Sequence, residues 1–201
     1  MTFGTRARGR GPGRGRSGDE PSPTGASGLG GEPDQEAVAR AIALRLLNGA
    51  PRSRKQLADA MARKDVPDDV AVRVLDRFTE VGLINDAELA GMLVRTRHAE
   101  RGLSRRAIAV ELRRRGIDDE LAGVALEEVD SDDEEIAARA LVRRKLASTA
   151  SLDAQTRARR TFAALGRKGY APGLISRLVR EELAAVGARD AEELDGPDAS
   201  P

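Results

Sequence analysis

The chain has no cysteine and no tryptophan, and among its 201 residues it has a single histidine and a single tyrosine. Without cysteine it cannot form a disulfide, a thiolate metal site or a thiol nucleophile. With His98 as its only imidazole, it lacks the residues for a histidine-rich metal site, and one isolated histidine is weak support for a Ser/His/Asp arrangement. These absences predict a protein that is not an enzyme and holds no metal or cofactor.

Aromatic and long apolar segments are also scarce. Only 2% of the residues are aromatic, so burial must come from Leu, Ile, Val and Ala, which suits thin helical units stacked on their neighbours. No stretch approaches the roughly 20 apolar residues that span a bilayer, and the N-terminus lacks the apolar core of a signal peptide. We therefore expect a cytoplasmic protein without a membrane partner.

A basic pair followed by a small residue and a hydrophobic corner occurs three times. The copies are Arg63-Lys64-Asp65-Val66, Arg114-Arg115-Gly116-Ile117 and Arg167-Lys168-Gly169-Tyr170. Their corner residues are 51 positions apart (66 to 117) and 53 positions apart (117 to 170). Apolar residues recur in register around each corner, five positions before it and four and nine after it: Met61, Leu112, Leu165; Val70, Leu121, Leu174; Leu75, Leu126, Val179. This pattern favours tandem helical repeats over chance self-similarity in a chain rich in Ala, Leu and Arg.

Helix start and stop signals divide the chain into segments. Asp34, Ser53 and Ser104 are candidate N-caps, and Gly116 is a candidate left-handed C-terminal residue. No segment alternates with period two, so we predict an all-α fold of three tandem three-helix, helix-turn-helix-like repeats in an elongated curved molecule, with the last helix ending near Val186. The predicted parts are a disordered Arg/Gly/Pro-rich tail at 1–33, repeats at 34–84, 85–130 and 131–187, and an acidic flexible tail at 188–201.

Charge is segregated along the chain although the net charge is only +1. Residues 101–115 carry six arginines against one acid, whereas residues 118–135 carry ten acids and no base. A basic face of this kind is suited to phosphates or to an acidic protein surface, and a solvated helix face is the alternative for any single arginine. The candidate contact residues are Arg101, Arg105, Arg106, Arg113, Arg114, Arg115, Arg167 and Lys168.

One stretch resembles the central signature of the RecX regulators. It comprises Gly82-Leu83-Ile84-Asn85-Asp86-Ala87-Glu88-Leu89-Ala90, Val94, Arg97, Arg101-Gly102-Leu103-Ser104, Ile108, Glu111-Leu112 and Arg115-Gly116-Ile117. Flanking segments are also similar to the family: Ala43-Leu44-Arg45-Leu46-Leu47, Pro51-Arg52-Ser53-Arg54-Lys55-Gln56-Leu57, and Arg167-Lys168-Gly169-Tyr170 with Ile175. The sequence departs from the family pattern at Leu89, where Phe is usual, at Asp65, where Gly is usual, and in its Arg/Gly-rich extension.

The resemblance implies a protein that binds the RecA recombinase and its DNA filament, lodges in the filament groove and limits strand exchange. Weak direct binding to single- or double-stranded DNA fits the same surface, and a monomer suits a groove ligand. Two other functions stay open: a helix-turn-helix DNA-binding regulator and a helical protein-interaction scaffold. Acids at Asp68-Asp69 and Asp118-Asp119-Glu120, at the start of third helices, argue against major-groove recognition.

Overall fold

The computed structural model describes residues 34–194, with side chains up to residue 188, and this part of the chain is all-helical. The predicted 1–33 tail and the last seven residues lie outside the described range. The helices are α1 (Gln35–Gly49), α2 (Arg54–Ala62), α3 (Asp68–Glu80), α4 (Asp86–Ala99), α5 (Arg105–Arg114), α6 (Asp119–Leu126), α7 (Ser131–Ala147), α8 (Ala154–Arg167) and α9 (Pro172–Leu194). The predicted fold class of three three-helix repeats is confirmed, and we number them repeats 1 to 3 in chain order.

Side-chain caps begin most of these helices. The predicted caps are confirmed: Asp34 accepts from Glu36 N, Ser53 from Gln56 N, and Ser104 from Ala107 N. At α2 the Gln56 side chain also accepts from Ser53 N, which completes a capping box. Each cap supplies an acceptor for an amide that has no partner within the helix, so the sequence positions the helix starts locally.

The three corners share one backbone arrangement. The amides of Val66, Ile117 and Tyr170 each donate to the carbonyl five residues earlier, on Met61, Leu112 and Leu165 respectively. The residues just before these corners have positive φ angles, namely Asp65 at 57°, Gly116 at 73° and Gly169 at 88°. This is the hydrogen bond of a Schellman-type helix end, which requires a left-handed residue. The predicted alignment of the corners is therefore confirmed, and Asp65 adopts the left-handed conformation, which aspartate tolerates better than most non-glycine residues.

Each repeat has a separate hydrophobic core. Leu57, Met61 and Leu75 are buried in repeat 1, Ile108 and Leu112 in repeat 2, and Leu165 and Ile175 in repeat 3, each set in its own cluster. Leu89, the departure from the family pattern, is buried in the second cluster and keeps a large apolar side chain there. The cores are built almost entirely from aliphatic residues, as the shortage of aromatics predicts.

The last helix differs from the prediction. We expected α9 to end near Val186, but it continues to Leu194. The added residues include two alanines, a leucine and charged residues that favour a helix, and the single Gly187 is too weak a breaker to end it. The sequence signal for a helix end at this point was therefore overestimated.

Candidate nucleic-acid and protein interface

Repeats 1 and 2 meet at the start of α2 and the end of α5. The buried Ser53 hydroxyl donates to the Arg115 carbonyl, and Arg54 N donates to Asp86 Oδ1 at 2.9 Å. A Cβ atom placed on Gly116 would lie 2.5 Å from Lys55 Cβ, closer than carbon atoms approach. Gly116 thus serves both the left-handed corner and the close approach of α2. We call this contact joint 1.

Repeats 2 and 3 meet in the same way one repeat further along. Ser104 N donates to the Lys168 carbonyl at 3.0 Å, and Arg105 N donates to Glu134 Oε1 at 3.1 Å. A Cβ atom on Gly169 would lie 2.7 Å from Ala107 Cβ, so glycine is again required. We call this contact joint 2. Ser104, Arg105 and Lys168 occupy the positions of Ser53, Arg54 and Arg115 in joint 1, and Glu134, like Asp86, lies in the first turn of its helix.

The joints arrange the middle helices α2, α5 and α8 head to tail. The carbonyl end of α8 lies at the amide end of α5, and the carbonyl end of α5 lies at the amide end of α2. Opposite partial charges of the helix dipoles therefore meet at each joint, which stabilises the contact. Basic residues on these helices therefore follow one another across the joints, and we call them the cationic surface.

The corner of repeat 1 has Asp65 where the other two corners have glycine, and the structure explains the difference. Asp65 is exposed, and no described repeat precedes repeat 1, so its Cβ meets no neighbouring middle helix. At the other end, the α8 cap Asp153 is exposed, whereas its counterparts Ser53 and Ser104 are buried in joints. A charged residue is tolerated at both positions because neither lies in a joint.

Five of the eight predicted contact residues have free guanidinium groups. Arg101, Arg106, Arg114 and Arg167 are exposed and Arg105 is half-buried. None of the five has a side-chain hydrogen bond or ion pair within residues 34–188. A free, exposed guanidinium can bind an anion without first breaking a contact in its own protein.

The other three predicted residues are engaged. Arg115 Nη2 lies 3.0 Å from Glu111, whose carboxylate also binds Arg97 at 2.8 Å. The hydrogen bond from Arg97, followed by that from Arg115, lowers the pKa of Glu111. Arg113 pairs with Asp119 at 3.2 Å, and Lys168 Nζ donates to the Arg101 carbonyl across joint 2. Arg115 and Lys168 therefore help to hold the fold.

Two further arginines on α8, outside the predicted contact set, are also free. Arg159 and Arg160 are exposed and have no ion-pair partner in the described part of the chain. The basic stretch that contains them was visible in the sequence, but its exposure was not. Arg139, Arg143 and Arg177 are instead bound by Glu135, Glu181 and Glu182 between α7 and α9.

Ion pairs between α7 and α9 in repeat 3 lower the pKa values of two glutamates. The side chain of Glu182 is only 5% exposed and accepts from Arg143 at 2.9 Å and from Arg139 at 3.1 Å. These hydrogen bonds lower the pKa of Glu182, and hydrogen bonds from Arg177 and Arg139 lower the pKa of Glu135 to about 2. The network fixes α7 against α9 and takes three arginines out of the cationic surface.

The remaining candidate residues have structural environments. His98 is half-buried and its Nδ1 lies 3.3 Å from the Leu103 carbonyl. Tyr170 is buried in the core of repeat 3, where burial, followed by the charge of Glu134, raises its pKa to about 12. Within residues 34–194 no group of three acidic or imidazole side chains is placed to hold a metal ion. None of the helices in that range has the length and apolarity needed to cross a bilayer.

Three small helical units, joined end to end and carrying unpaired arginines across the joints, define a tandem helical repeat protein with a cationic surface. Models of the RecX first, second and third three-helix domains match residues 39–78, 85–126 and 132–179. The chain belongs to the RecX family.

Relatives over most of the chain carry a regulatory name. Regulatory protein RecX of Thermobifida fusca is 51% identical over 164 residues, covering 82% of this chain and 86% of that protein. Regulatory protein RecX of Streptomyces lividans is 49% identical over 166 residues, covering 82% and 88%. The crystal structure of RecX from Lactobacillus salivarius has a TM-score of 0.64 at 22% identity, covering 74% of this chain and 96% of that one, which shows the shared fold.

Proposed function

We propose that this protein binds RecA and its nucleoprotein filament, inhibits ATP hydrolysis and strand exchange by the recombinase, and thereby regulates DNA recombination and repair. Membership of the RecX family supports the regulatory part of the proposal. The observation that carries the binding part is the succession of free arginines across joint 2, from Arg106 and Arg114 on α5 to Arg167 on α8.

The mechanism needs no bond to be broken. Free guanidinium groups on consecutive repeats contact DNA phosphates or acidic side chains of adjacent recombinase subunits, and several weak contacts on one chain add up to strong binding. Each phosphate engaged releases counterions, so binding weakens as salt rises, with a slope of about 0.7 log units per phosphate on a single strand. Bound along the filament, the protein opposes the movements that strand exchange requires.

The third helices support this proposal over a duplex-reading regulator. In α3 the first turn carries Asp68 and Asp69, and in α6 it carries Asp119 and Glu120, all exposed. Carboxylates at the start of a recognition helix would face the phosphates that border the major groove, where like charges repel. The cations lie instead on the middle helices.

The test is ATP hydrolysis by RecA on single-stranded DNA, titrated with this protein. We expect substoichiometric inhibition by the natural sequence and loss of that inhibition when Arg106, Arg114 and Arg167 are all changed to Ala. The matched control changes Arg73, Arg77 and Arg95 to Ala, because these exposed arginines are already paired with acids, the first two on α3 and the third with Glu128 just after α6. This control variant removes the same amount of charge, and we expect it to inhibit ATP hydrolysis as strongly as the natural sequence does.

Two results would contradict the proposal. One is an absence of inhibition by the natural sequence at several-fold excess over RecA. The other is equal inhibition by the cation variant and by the control, which would show that the free arginines are not the contact surface.

A further inference from the structure

A groove between α8 and α9 has an aromatic wall and two cationic edges. Phe162, Val179 and Leu183 line it together with Ala158, and Arg159 and Arg180 border it. Phe162 is 39% exposed, whereas the other described aromatic residues, Phe78 and Tyr170, are 6% and 3% exposed. Among the described residues neither Arg159 nor Arg180 has a hydrogen bond or an ion pair from its side chain.

The same groove is closed in repeat 1. By their distance from the corner residue, Ala158, Arg180 and Leu183 correspond to Arg54, Asp76 and Thr79. In repeat 1 the Arg54 guanidinium crosses from α2 to α3 and binds Asp76 at 2.7 Å and Thr79 Oγ1 at 3.4 Å. Repeat 3 has lost the crossing arginine and its two partners, so its groove stays open.

Repeat 3 also differs from both other repeats in chemistry. Phe162 takes the position of Ala58 and Ala109, and Arg180 takes the position of acids, Asp76 in repeat 1 and Glu127 in repeat 2. An aromatic ring thus replaces a methyl group and a cation replaces an anion at the same groove. The two changes together favour a ligand with a flat apolar part and a negative charge.

We propose that this groove binds single-stranded nucleic acid, with a base stacked against Phe162 and the flanking phosphates on Arg159 and Arg180. Aromatic side chains alternating with cations are the usual means of holding a single strand without sequence preference. Arg160 and Arg167, on the same helix α8, are further exposed cations without an ion pair among the described residues. This inference rests on the proposed function, in which the protein acts on DNA-bound recombinase, and it adds a direct contact between the protein and the bases.

The experiment measures binding of the full chain to bare oligothymidylate and to an abasic strand of the same length, by fluorescence anisotropy. The key variant is Phe162→Leu, which keeps a large apolar side chain and so preserves packing. We expect it to weaken oligothymidylate binding about 5-fold or more, the effect of losing one stacked base, and to leave the abasic strand unaffected. A double change of Arg159 and Arg180 to Gln weakens binding to both strands, and Arg73→Gln with Arg77→Gln weakens neither.

Unchanged oligothymidylate binding by Phe162→Leu would overturn the inference. If that variant also bound the RecA filament more weakly than the natural sequence, the groove would be a docking site for an acidic protein segment instead. A different outcome separates the two proposals. If Phe162→Leu loses the base-dependent binding while the natural sequence has no effect on RecA, the groove binds single strands and the proposed function is rejected. Circular dichroism and thermal unfolding of each variant confirm that it is folded.

Discussion

Ser53 and Arg115 are 62 residues apart in the sequence, yet the hydroxyl of the first donates a hydrogen bond to the carbonyl of the second. The same serine caps α2, so one side chain both starts a helix and attaches it to the next repeat. The three hydrophobic cores are separate, and the joints consist largely of such polar contacts. Stability within each repeat and attachment between repeats therefore depend on different residues.

Gly169→Ala tests the close approach at joint 2. We expect a loss of about 1–2 kcal/mol from the left-handed backbone and about 1–3 kcal/mol more from the contact with Ala107, measured by urea unfolding. The control is Gly82→Ala, because Gly82 has a φ of 75° but an added Cβ there meets nothing within 4 Å. Equal losses in the two variants would show that the close approach contributes nothing.

Ser53→Ala tests the hydrogen bond across joint 1. It removes the α2 cap and leaves the Arg115 carbonyl without this donor, so we expect a loss of about 1–3 kcal/mol in the free energy of unfolding. Asp153→Ala removes only a cap, since Asp153 is exposed and lies outside the joints, and should cost about 1 kcal/mol or less. If both substitutions lower the free energy of unfolding equally, the hydrogen bond across joint 1 contributes nothing measurable to stability.

The lowered pKa of Glu182 predicts that the stability of the protein depends on pH. Its pKa in the folded protein is lowered, first by Arg143 and then by Arg139, from the usual value of 4.5. The folded state therefore binds this proton less readily than the unfolded state, so the stabilisation is present above pH 4.5 and is lost as pH falls through the folded pKa.

Thermal unfolding as a function of pH checks this expectation. Glu182→Gln should lower the melting temperature at neutral pH and reduce its fall below pH 4.5. Glu80→Gln, in an exposed pair with Arg77, is the control and should follow the natural sequence. A Glu182→Gln profile parallel to that of the natural protein would refute the assignment.

Arg114 and Arg115 are neighbours in the sequence with different surroundings, and the salt dependence of DNA binding should separate them. Arg114 is exposed and unpaired, so Arg114→Ala should reduce the slope of log affinity against log salt by about 0.7 on single-stranded DNA. Arg115 is held by Glu111, so Arg115→Ala should change the slope less and the stability more. A larger change of slope in Arg115→Ala than in Arg114→Ala would show that Arg115, and not Arg114, contacts the DNA.

Tyr170→Phe should leave stability unchanged or raise it by up to about 1 kcal/mol. The buried hydroxyl of Tyr170 has no hydrogen-bond partner among the described residues, so removing it deletes a desolvated polar group and keeps the ring. Chemical denaturation measures the difference. A loss of more than about 1 kcal/mol would mean that the hydroxyl is satisfied in solution, since a lost hydrogen bond typically costs that much.

The sequence predicted the all-helical class, the caps at Ser53 and Ser104 and the three corners because each of these depends on contacts within a few residues. A serine accepts an amide three positions ahead, and a left-handed residue lets the next amide return to a carbonyl five positions back. The sequence signals were less reliable at the end of α9, where no cap or proline marks a stop before Leu194. The resemblance to RecX also came from the sequence alone.

Only the tertiary structure decided which cations are free. Arg114 and Arg115 have the same chemistry in the sequence, and what distinguishes them is that Arg115 shares Glu111 with Arg97 of a different helix. Likewise, Phe162 and Arg180 share one groove only because α8 packs on α9. Local signals determine where helices begin and end, whereas exposure and ion pairing depend on which faces of distant helices come together.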